Sequence, residues 1–229
     1  MSIVSNVSPL APKNFPVMHS ISGVRFATAN AGIKSGDSED ATLILLEPKT
    51  VIAGLFTSSM TRSAPVIDCQ NKIGINVENT GAAIIVNSGN ANAFTGRQGE
   101  LAVREIIAEL STRVQIPVER IFSSSTGVIG ELLEYQKIIN VFDYLVDSLH
   151  VSKIENAARA IMTTDTFPKG SSVKVSSSGG KIRISGIAKG SGMIAPNMGT
   201  MLVYIFTDVL IDKNDLQSIV SDLNEETFN

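Results

Sequence analysis

A loop that runs directly into a buried strand constrains the fold of this chain more than any other stretch. It covers residues 186–206 and reads GIAKGSGMIAPNMGTMLVYIF. Its first half contains four residues that interrupt regular structure: Gly190, Gly192, Pro196 and Gly199. This spacing predicts a loop. The apolar, β-branched and aromatic run from 200 to 206 predicts a strand buried in a core.

The junction of the two halves, Gly199-Thr200, is a candidate catalytic position. A threonine hydroxyl becomes a nucleophile when an N-terminal amine activates it, so this role for Thr200 requires the Gly199-Thr200 bond to be cut. Glycine favours such a cut because it tolerates strained backbone conformations. The alternative is that Thr200 simply begins a strand, where threonine is common.

Histidine offers little for catalysis in this chain. The two histidines, His19 and His150, have no obvious catalytic partners near them in the sequence. The sequence therefore gives little support for a Ser-His-Asp triad. A freed α-amino group, with a pKa of about 7.7–8.0, would serve as a base near neutral pH.

Composition argues against several classes of function. The 229 residues carry a net charge of −3 without a basic cluster, which is unlike a nucleic-acid-binding surface. No apolar run approaches the ~18 residues of a membrane span, and residues 1–15 lack a signal or transit pattern. Cys69 is the single cysteine, so there is no CxxC metal site. We expect a soluble cytoplasmic protein that binds neither metal nor membrane.

Periodicity and turn residues predict alternating strands and helices. Strands are expected at 24–28, 41–46, 51–57, 82–86 and 120–124, the first three as an antiparallel meander. Helices are expected after a Thr95–Gln98 capping box, at about 131–149, at 153–162, and after an Asn214 cap. A hairpin joins 173–176 to 181–185.

Three polar loops are candidate parts of a site. The asparagine-rich stretch 87–96 follows a strand and either points amides at a ligand or forms a well-bonded turn. In the stretch 123–130, the Thr126 hydroxyl and the Gly127 N–H together suit an oxyanion hole. A phosphate-binding turn lacks its GxxxxGK[ST] motif there, and a helix-capping turn remains open. The threonine cluster at 163–166 suits a pocket or a surface turn, and Asp40 is either functional or a turn residue.

Taken in order, these strings resemble the ornithine acetyltransferase family, also called bifunctional glutamate N-acetyltransferase. They are NSGNAN from Asn87, SSTGVIG from Ser124, IMTTDTFPK from Ile161 and KGSGMIAPNMGTML from Lys189. Shorter N-terminal strings, APKNF, AGIK, AGLFT and APV, match in the same order. The resemblance runs from about Val7 to the end of the chain. It implies an α/β fold of the α+β type, a layered sandwich of mixed sheets and helices.

The resemblance also implies a reaction. The precursor would cut itself before Thr200, giving an α chain of residues 1–199 and a β chain that begins at 200. Thr200 would take the acetyl group from N-acetylornithine and pass it to glutamate, in arginine biosynthesis. No cofactor is implied, although acetyl-CoA is a donor for some members. Two α and two β chains would assemble.

The resemblance assigns individual residues as well. Thr126 and Gly127 match the oxyanion hole, while Lys189 and either Thr163 or Thr164 match substrate-binding positions. A lysine suits a pocket for substrates that carry an α-carboxylate. Two departures stand out: Gly199 replaces the usual alanine, and Phe94 replaces a common cysteine.

Length is the larger departure from the family. Members of the family continue well beyond residue 229, so 200–229 would be only the start of a β chain. Two other hypotheses therefore accompany acetyl transfer. One is an inactive remnant with a structural or binding role. The other is a related amidase or aminopeptidase, in which water attacks the acyl-threonine.

Overall fold

The computed structural model describes residues 7–75, 77, 79–177, 179–191 and 201–228. Its strands are β1 (Val24–Ala29), β2 (Ala41–Leu46), β3 (Ala82–Asn90), β4 (Ile121–Val128), β5 (Lys169–Ser177), β6 (Gly180–Lys189) and β7 (Leu202–Thr207). Its helices are α1 (Ala64–Lys72), α2 (Gly96–Val114), α3 (Tyr135–Ile139), α4 (Phe142–Asp147), α5 (Ile154–Ala160) and α6 (Lys213–Thr227). None of these helices, within the ranges described, is long and apolar enough to cross a membrane.

The strands form two sheets. Sheet A has the order β1-β2-β3-β4, antiparallel except for the parallel pair β3 and β4. A parallel pair needs a crossover connection, and α2 supplies it between these two strands. Sheet B is an antiparallel β5-β6-β7 sheet. The mixed, layered α/β fold expected from the sequence is therefore confirmed.

Sheet A is buried on both faces. One apolar core lies between sheet A and helices α2, α3 and α4, where Leu110 and Phe142 are fully buried. A second core joins sheet A to α5 and to sheet B. There Phe26 of β1 meets Phe206 of β7 edge to face, with ring centroids 5.2 Å apart. Sheet B is thus held against sheet A by aromatic packing.

The strand predicted at 51–57 is wrong, because residues 51–57 form no strand. The backbone of Gly54 bonds the side-chain amide of Gln217 on α6, with its N–H donating at 3.1 Å and its carbonyl accepting at 3.2 Å. An α6 side chain therefore satisfies the polar groups that a strand ladder would have used. The third member of the antiparallel meander is β3.

Three predicted helix features also differ from the structure. The helix expected at 131–149 is two short helices, α3 and α4, and the break falls where Ile138-Ile139-Asn140-Val141 carry weak helix propensity. The Thr95 hydroxyl does not cap α2 but donates to Asn92 Oδ1 at 2.8 Å. The cap of α6 is Asp212, which accepts a hydrogen bond from the N–H of Asn214.

Helix α1 was not predicted from the sequence. A helix start was nevertheless present in the sequence, because Ser63 stands at the N-cap and Pro65 at the beginning of the helix. The helix packs beside β4, and its Cys69 thiol donates to the carbonyl of Ser123 at 3.2 Å. Burial raises the pKa of this thiol to about 12, so Cys69 is a core residue rather than a nucleophile.

Asp40 is a structural turn residue in this fold. Its carboxylate is buried and accepts hydrogen bonds from the backbone N–H groups of Ala31, Ile33 and Lys34, at 2.6–2.8 Å. These bonds curl the loop between β1 and β2 around one side chain. The AGIK string is therefore shaped by a carboxylate that follows it in the sequence.

Substituting Asp40 by Asn should destabilise the protein by about 1–3 kcal/mol, because the amide group cannot accept all three N–H groups. Urea unfolding at pH 7 measures this change. The matched control is Asp37→Asn on the exposed part of the same loop, which should stay within about 0.5 kcal/mol of the wild type. Equal effects of the two substitutions would contradict the role of Asp40.

Candidate active site

Three elements bring hydroxyl groups to one buried ammonium. Lys189 lies at the end of β6 with 3% of its surface exposed. Its Nζ donates to Thr126 Oγ1 of β4 at 2.9 Å and to Thr163 Oγ1, just after α5, at 2.6 Å. Sheet A, sheet B and the end of α5 therefore meet at this cation. Thr164, the other threonine considered from the sequence, is exposed.

The strand ends beside Thr126 approach each other unusually closely. Gly127 has a φ of +136°, and a Cβ there would lie 2.3 Å from the carbonyl carbon of Gly89 on β3. Only glycine suits such a conformation and such an approach. The close packing of the two strands thus explains why residue 127 is a glycine. It also places the Thr126-Gly127 peptide against the bulge at Asn90.

Asp165 organises the loop that carries Thr163. Its carboxylate accepts hydrogen bonds from Lys169 Nζ at 2.6 Å, from the N–H of Gly190 at 2.8 Å and from the N–H of Thr163 at 3.3 Å. Burial works to raise the pKa of Asp165, but these three bonds outweigh burial and hold the pKa below its usual value. The carboxylate therefore stays ionised near Lys189 and ties β6 to the end of α5.

Electrostatics at Lys189 are a balance of opposing effects. Burial lowers the pKa of the ammonium, the Asp165 carboxylate opposes this, and Lys169 adds to the lowering. A second cation, the half-buried Lys34, donates to the carbonyls of Ala160 at 3.0 Å and Glu39 at 3.3 Å. Burial likewise lowers the pKa of Lys34, and the charge of Lys189 contributes in the same direction. The site thus concentrates positive charge in a region of low solvent access.

Hydrogen bonds from two neighbouring segments fix the end of α5. Ser88 of β3, which pairs with Thr126 in the register of sheet A, donates its hydroxyl to the carbonyl of Ala160 at 2.5 Å. Lys34 donates to the same carbonyl. The Ser88 hydroxyl and the Lys34 ammonium therefore hold the last residue of α5, and this positions Thr163 three residues later.

The predicted cleavage site Gly199-Thr200 lies outside the described residues. The chain is described again from Met201, and Leu202 of β7 pairs with Lys189 of β6. In the sequence, Thr200 therefore lies two residues before the residue that pairs with the backbone of Lys189. The assignment of Thr200 as a nucleophile remains a prediction.

The asparagine-rich stretch 87–96 is bonded within the chain, but only residues 91–95 connect a strand to a helix, because residues 87–90 continue β3. Asn87 Oδ1 accepts from the Ser125 hydroxyl at 2.6 Å, Asn90 Oδ1 accepts from the N–H of Asn92 at 2.7 Å, and Asn92 donates to the carbonyl of Gly99 at 3.0 Å. These bonds shape the corner between β3 and α2. In the part of the chain that the structure describes, no group of three or more His, Cys, Asp or Glu side chains could hold a metal ion.

Sequence reasoning missed two residues that support the site. Asp165 sits inside the TTDT string, where only the threonines were singled out, and Lys34 sits inside AGIK. Both are charged residues inside strings that resemble the family. Their place in those strings was the signal that could have identified them. Their roles depend on partners far away in the sequence, such as Gly190 and Ala160.

The chain is similar to known proteins over its whole length. The model of the ArgJ family matches residues 25–229. The arginine biosynthesis bifunctional protein ArgJ of Ruegeria pomeroyi is 50% identical over 229 residues, and that of Bartonella henselae is 43% identical over 223 residues. These alignments take in 100% and 97% of this chain but 56% and 54% of those proteins. The chain thus spans about half the length of the curated relatives it matches.

Two solved structures share the fold. The arginine biosynthesis bifunctional protein ArgJ of Bacillus halodurans aligns with a TM-score of 0.71 at 30% identity, over 80% of this chain and 95% of that one. The ornithine acetyltransferase of Mycobacterium tuberculosis complexed with ornithine aligns with a TM-score of 0.70 at 29% identity, over 80% and 94%. Both solved chains are therefore shorter than this chain, whereas the curated relatives are longer.

Replacing Asp165 by Asn should remove a stabilising charge at the site. Because the folded state lowers the pKa of Asp165, its stabilisation is present above the ordinary value of 3.8 and is lost as the pH falls through the folded value. Urea unfolding should show a loss of about 1–3 kcal/mol at pH 7 that shrinks at pH 3.

The control for this substitution is Asp222→Asn on the exposed face of α6, which should change the stability by less than about 0.5 kcal/mol at either pH. A loss that is the same for Asp165→Asn at pH 7 and pH 3 would show that the carboxylate charge contributes nothing.

Proposed function

Since this chain belongs to the ArgJ family, we propose that it carries out acetyl transfer from N-acetylornithine to glutamate, in arginine biosynthesis. The acetyl group passes through an ester on Thr200. The observation that carries the proposal is the buried ammonium of Lys189, which bonds both Thr126 and Thr163. The backbone of Lys189 pairs with Leu202, which follows Thr200 by two residues in the sequence. An ammonium flanked by hydroxyls suits substrates that carry carboxylates.

The first step is self-cleavage. The Thr200 hydroxyl oxygen attacks the carbonyl carbon of Gly199, and the nitrogen of Thr200 leaves with a proton as the peptide bond becomes an ester. Water then hydrolyses the ester. The products are residues 1–199 with a new carboxylate and a second chain whose first residue, Thr200, has a free amine.

Transfer uses the same hydroxyl. The Thr200 oxygen attacks the acetyl carbonyl of N-acetylornithine while the α-amine of Thr200 takes up the hydroxyl proton. That proton goes to the departing nitrogen, and ornithine leaves. The amine of glutamate then attacks the acetyl ester, which yields N-acetylglutamate and returns the proton to the Thr200 oxygen. Acetyl-CoA in place of N-acetylornithine would form the same ester and release free CoA.

Both steps pass through a tetrahedral oxyanion. We assign its stabilisation to the Thr126 hydroxyl and the Gly127 N–H, because donors held in a buried site stabilise developing charge without reorganising. Thr126 has no exposed surface. The assignment is supported by the rigid surroundings of both residues, since β3 and the ammonium of Lys189 contact them.

The lengths of the relatives support the cut. The curated relatives are nearly twice as long as the matched region, while the two solved chains are shorter than this chain. A long precursor that is cut near its middle would give both the long curated sequences and the shorter solved chains. We propose that two α and two β chains then form the assembly.

Substituting Thr200 by Ala should abolish both self-cleavage and acetyl transfer, because it removes the attacking oxygen. Intact mass spectrometry checks cleavage, and formation of N-acetylglutamate checks transfer. Thr200→Ser, which keeps a hydroxyl, is the matched control and should still be cut. An uncut wild-type chain of 24.3 kDa that forms no N-acetylglutamate would instead identify this chain as an inactive member of the family.

Substituting Thr126 by Val, which has nearly the same shape, should slow cleavage and transfer by up to about 10²–10³-fold through loss of one oxyanion donor. The two rates are followed by intact mass and by N-acetylglutamate formation. Thr112→Val on the surface of α2 is the control and should leave both rates unchanged. If Thr126→Val matched the control, Thr126 would be a packing residue only.

A further inference from the structure

We propose that Lys189 is a positioning residue for the oxyanion hole: its ammonium donates to the Thr126 oxygen and so leaves the hydroxyl hydrogen of Thr126 free to donate to the oxyanion. The inference rests on the proposed function and adds a second role to the binding of substrate carboxylates. It concerns what Lys189 does before any substrate arrives, during self-cleavage.

The direction of one hydrogen bond carries the argument. An ammonium has three N–H donors and no acceptor, so in the 2.9 Å contact the Thr126 oxygen must be the acceptor. The Thr126 hydroxyl keeps its own hydrogen, which can then donate to another oxygen. A bond donated to the Thr126 oxygen also makes its O–H group a stronger donor, since linked hydrogen bonds polarise one another.

The reverse arrangement would disable the same hydroxyl. A neutral amine at Lys189 has a lone pair, and the Thr126 hydroxyl could then donate to it instead of to the oxyanion. The protonated state of Lys189 therefore matters for the chemistry as well as for binding. In the part of the chain that the structure describes, three charged groups act on it: Asp165 on the loop after α5, Lys169 on β5 and Lys34 on the loop between β1 and β2.

Asp165 is the group that favours the ammonium among these three. Its carboxylate is held by the N–H of Gly190, the residue that follows Lys189, and it attracts the positive charge. The second N–H of Lys189 goes to Thr163. Two of the three N–H groups thus have partners among the described residues, which leaves the third for a substrate carboxylate, so positioning and substrate binding are compatible at one ammonium.

Self-cleavage separates the two roles. The cut at Gly199-Thr200 involves an oxyanion but no substrate carboxylate, so a lysine that only binds substrate would leave its rate unchanged. The experiment follows cleavage of the full chain during cell-free synthesis, by gel and intact mass, in Lys189→Met, Thr126→Val and the double variant. Lys174→Met on the exposed part of β5 is the matched control.

The expected result is non-additive. Each single variant should slow cleavage by up to about 10²–10³-fold. The double variant should be no slower than the slower single variant, because Lys189 acts through the Thr126 hydroxyl. The control should be cut at the wild-type rate. Melting temperatures of all variants establish that each one folds.

A pH profile adds a readout that a merely structural lysine would not produce. The wild-type cleavage rate should fall at alkaline pH as Lys189 loses its proton, below the ordinary lysine value of 10.5 because burial lowers its pKa. In Thr126→Val, this alkaline fall should disappear.

Slowing factors that multiply in the double variant, or a Lys189→Met variant that is cut at the normal rate, would overturn the inference and leave the proposed function intact. A wild-type chain that is never cut would contradict the proposed function for this chain, and the inference would fall with it. The two failures are thus distinguishable in one set of samples.

Discussion

The burial of one ammonium group, that of Lys189, is the constraint on which the arrangement of the site depends. A charge removed from water is costly unless hydrogen bonds and an opposite charge surround it. Here the bonds come from β4 and from the end of α5, and the opposite charge comes from Asp165. Asp165 is in turn held by Lys169 and two backbone N–H groups. The two sheets must therefore meet at one geometry for each of these charges to be satisfied.

Backbone contacts make that geometry rigid. The strands β3 and β4 approach so closely at Gly89 and Gly127 that a single added methyl group would collide with the neighbouring backbone. Ser88 and Lys34 both donate hydrogen bonds to the carbonyl of Ala160, at the end of α5. A site whose polar groups sit on strands and on an anchored helix end holds its donors in place better than one built on loops alone.

The sequence was most informative where a pattern is local. Apolar runs predicted β1 and β2 nearly at their observed positions, whereas the strands predicted at 82–86 and 120–124 each end four residues before β3 and β4 do. The order of short strings indicated the family. Prediction failed where a distant partner decides the outcome. Residues 51–57 look like a strand but bond a side chain of α6, 163 residues away from Gly54 in the sequence. Asp165 and Lys34 acquire their roles from partners such as Gly190 and Ala160, which no local periodicity reveals.

The register of sheet B has a consequence for a chain cut between Gly199 and Thr200. The strands β6 and β7 lie on opposite sides of that bond in the sequence and pair from Lys189–Leu202 to Ile184–Thr207. Phe206 of β7 also packs against Phe26 of sheet A in the second core. Backbone pairing and aromatic burial would hold the two pieces together without the peptide bond. The cut would therefore create a new amine two residues before Leu202 in the sequence, and Leu202 is the residue that pairs with Lys189.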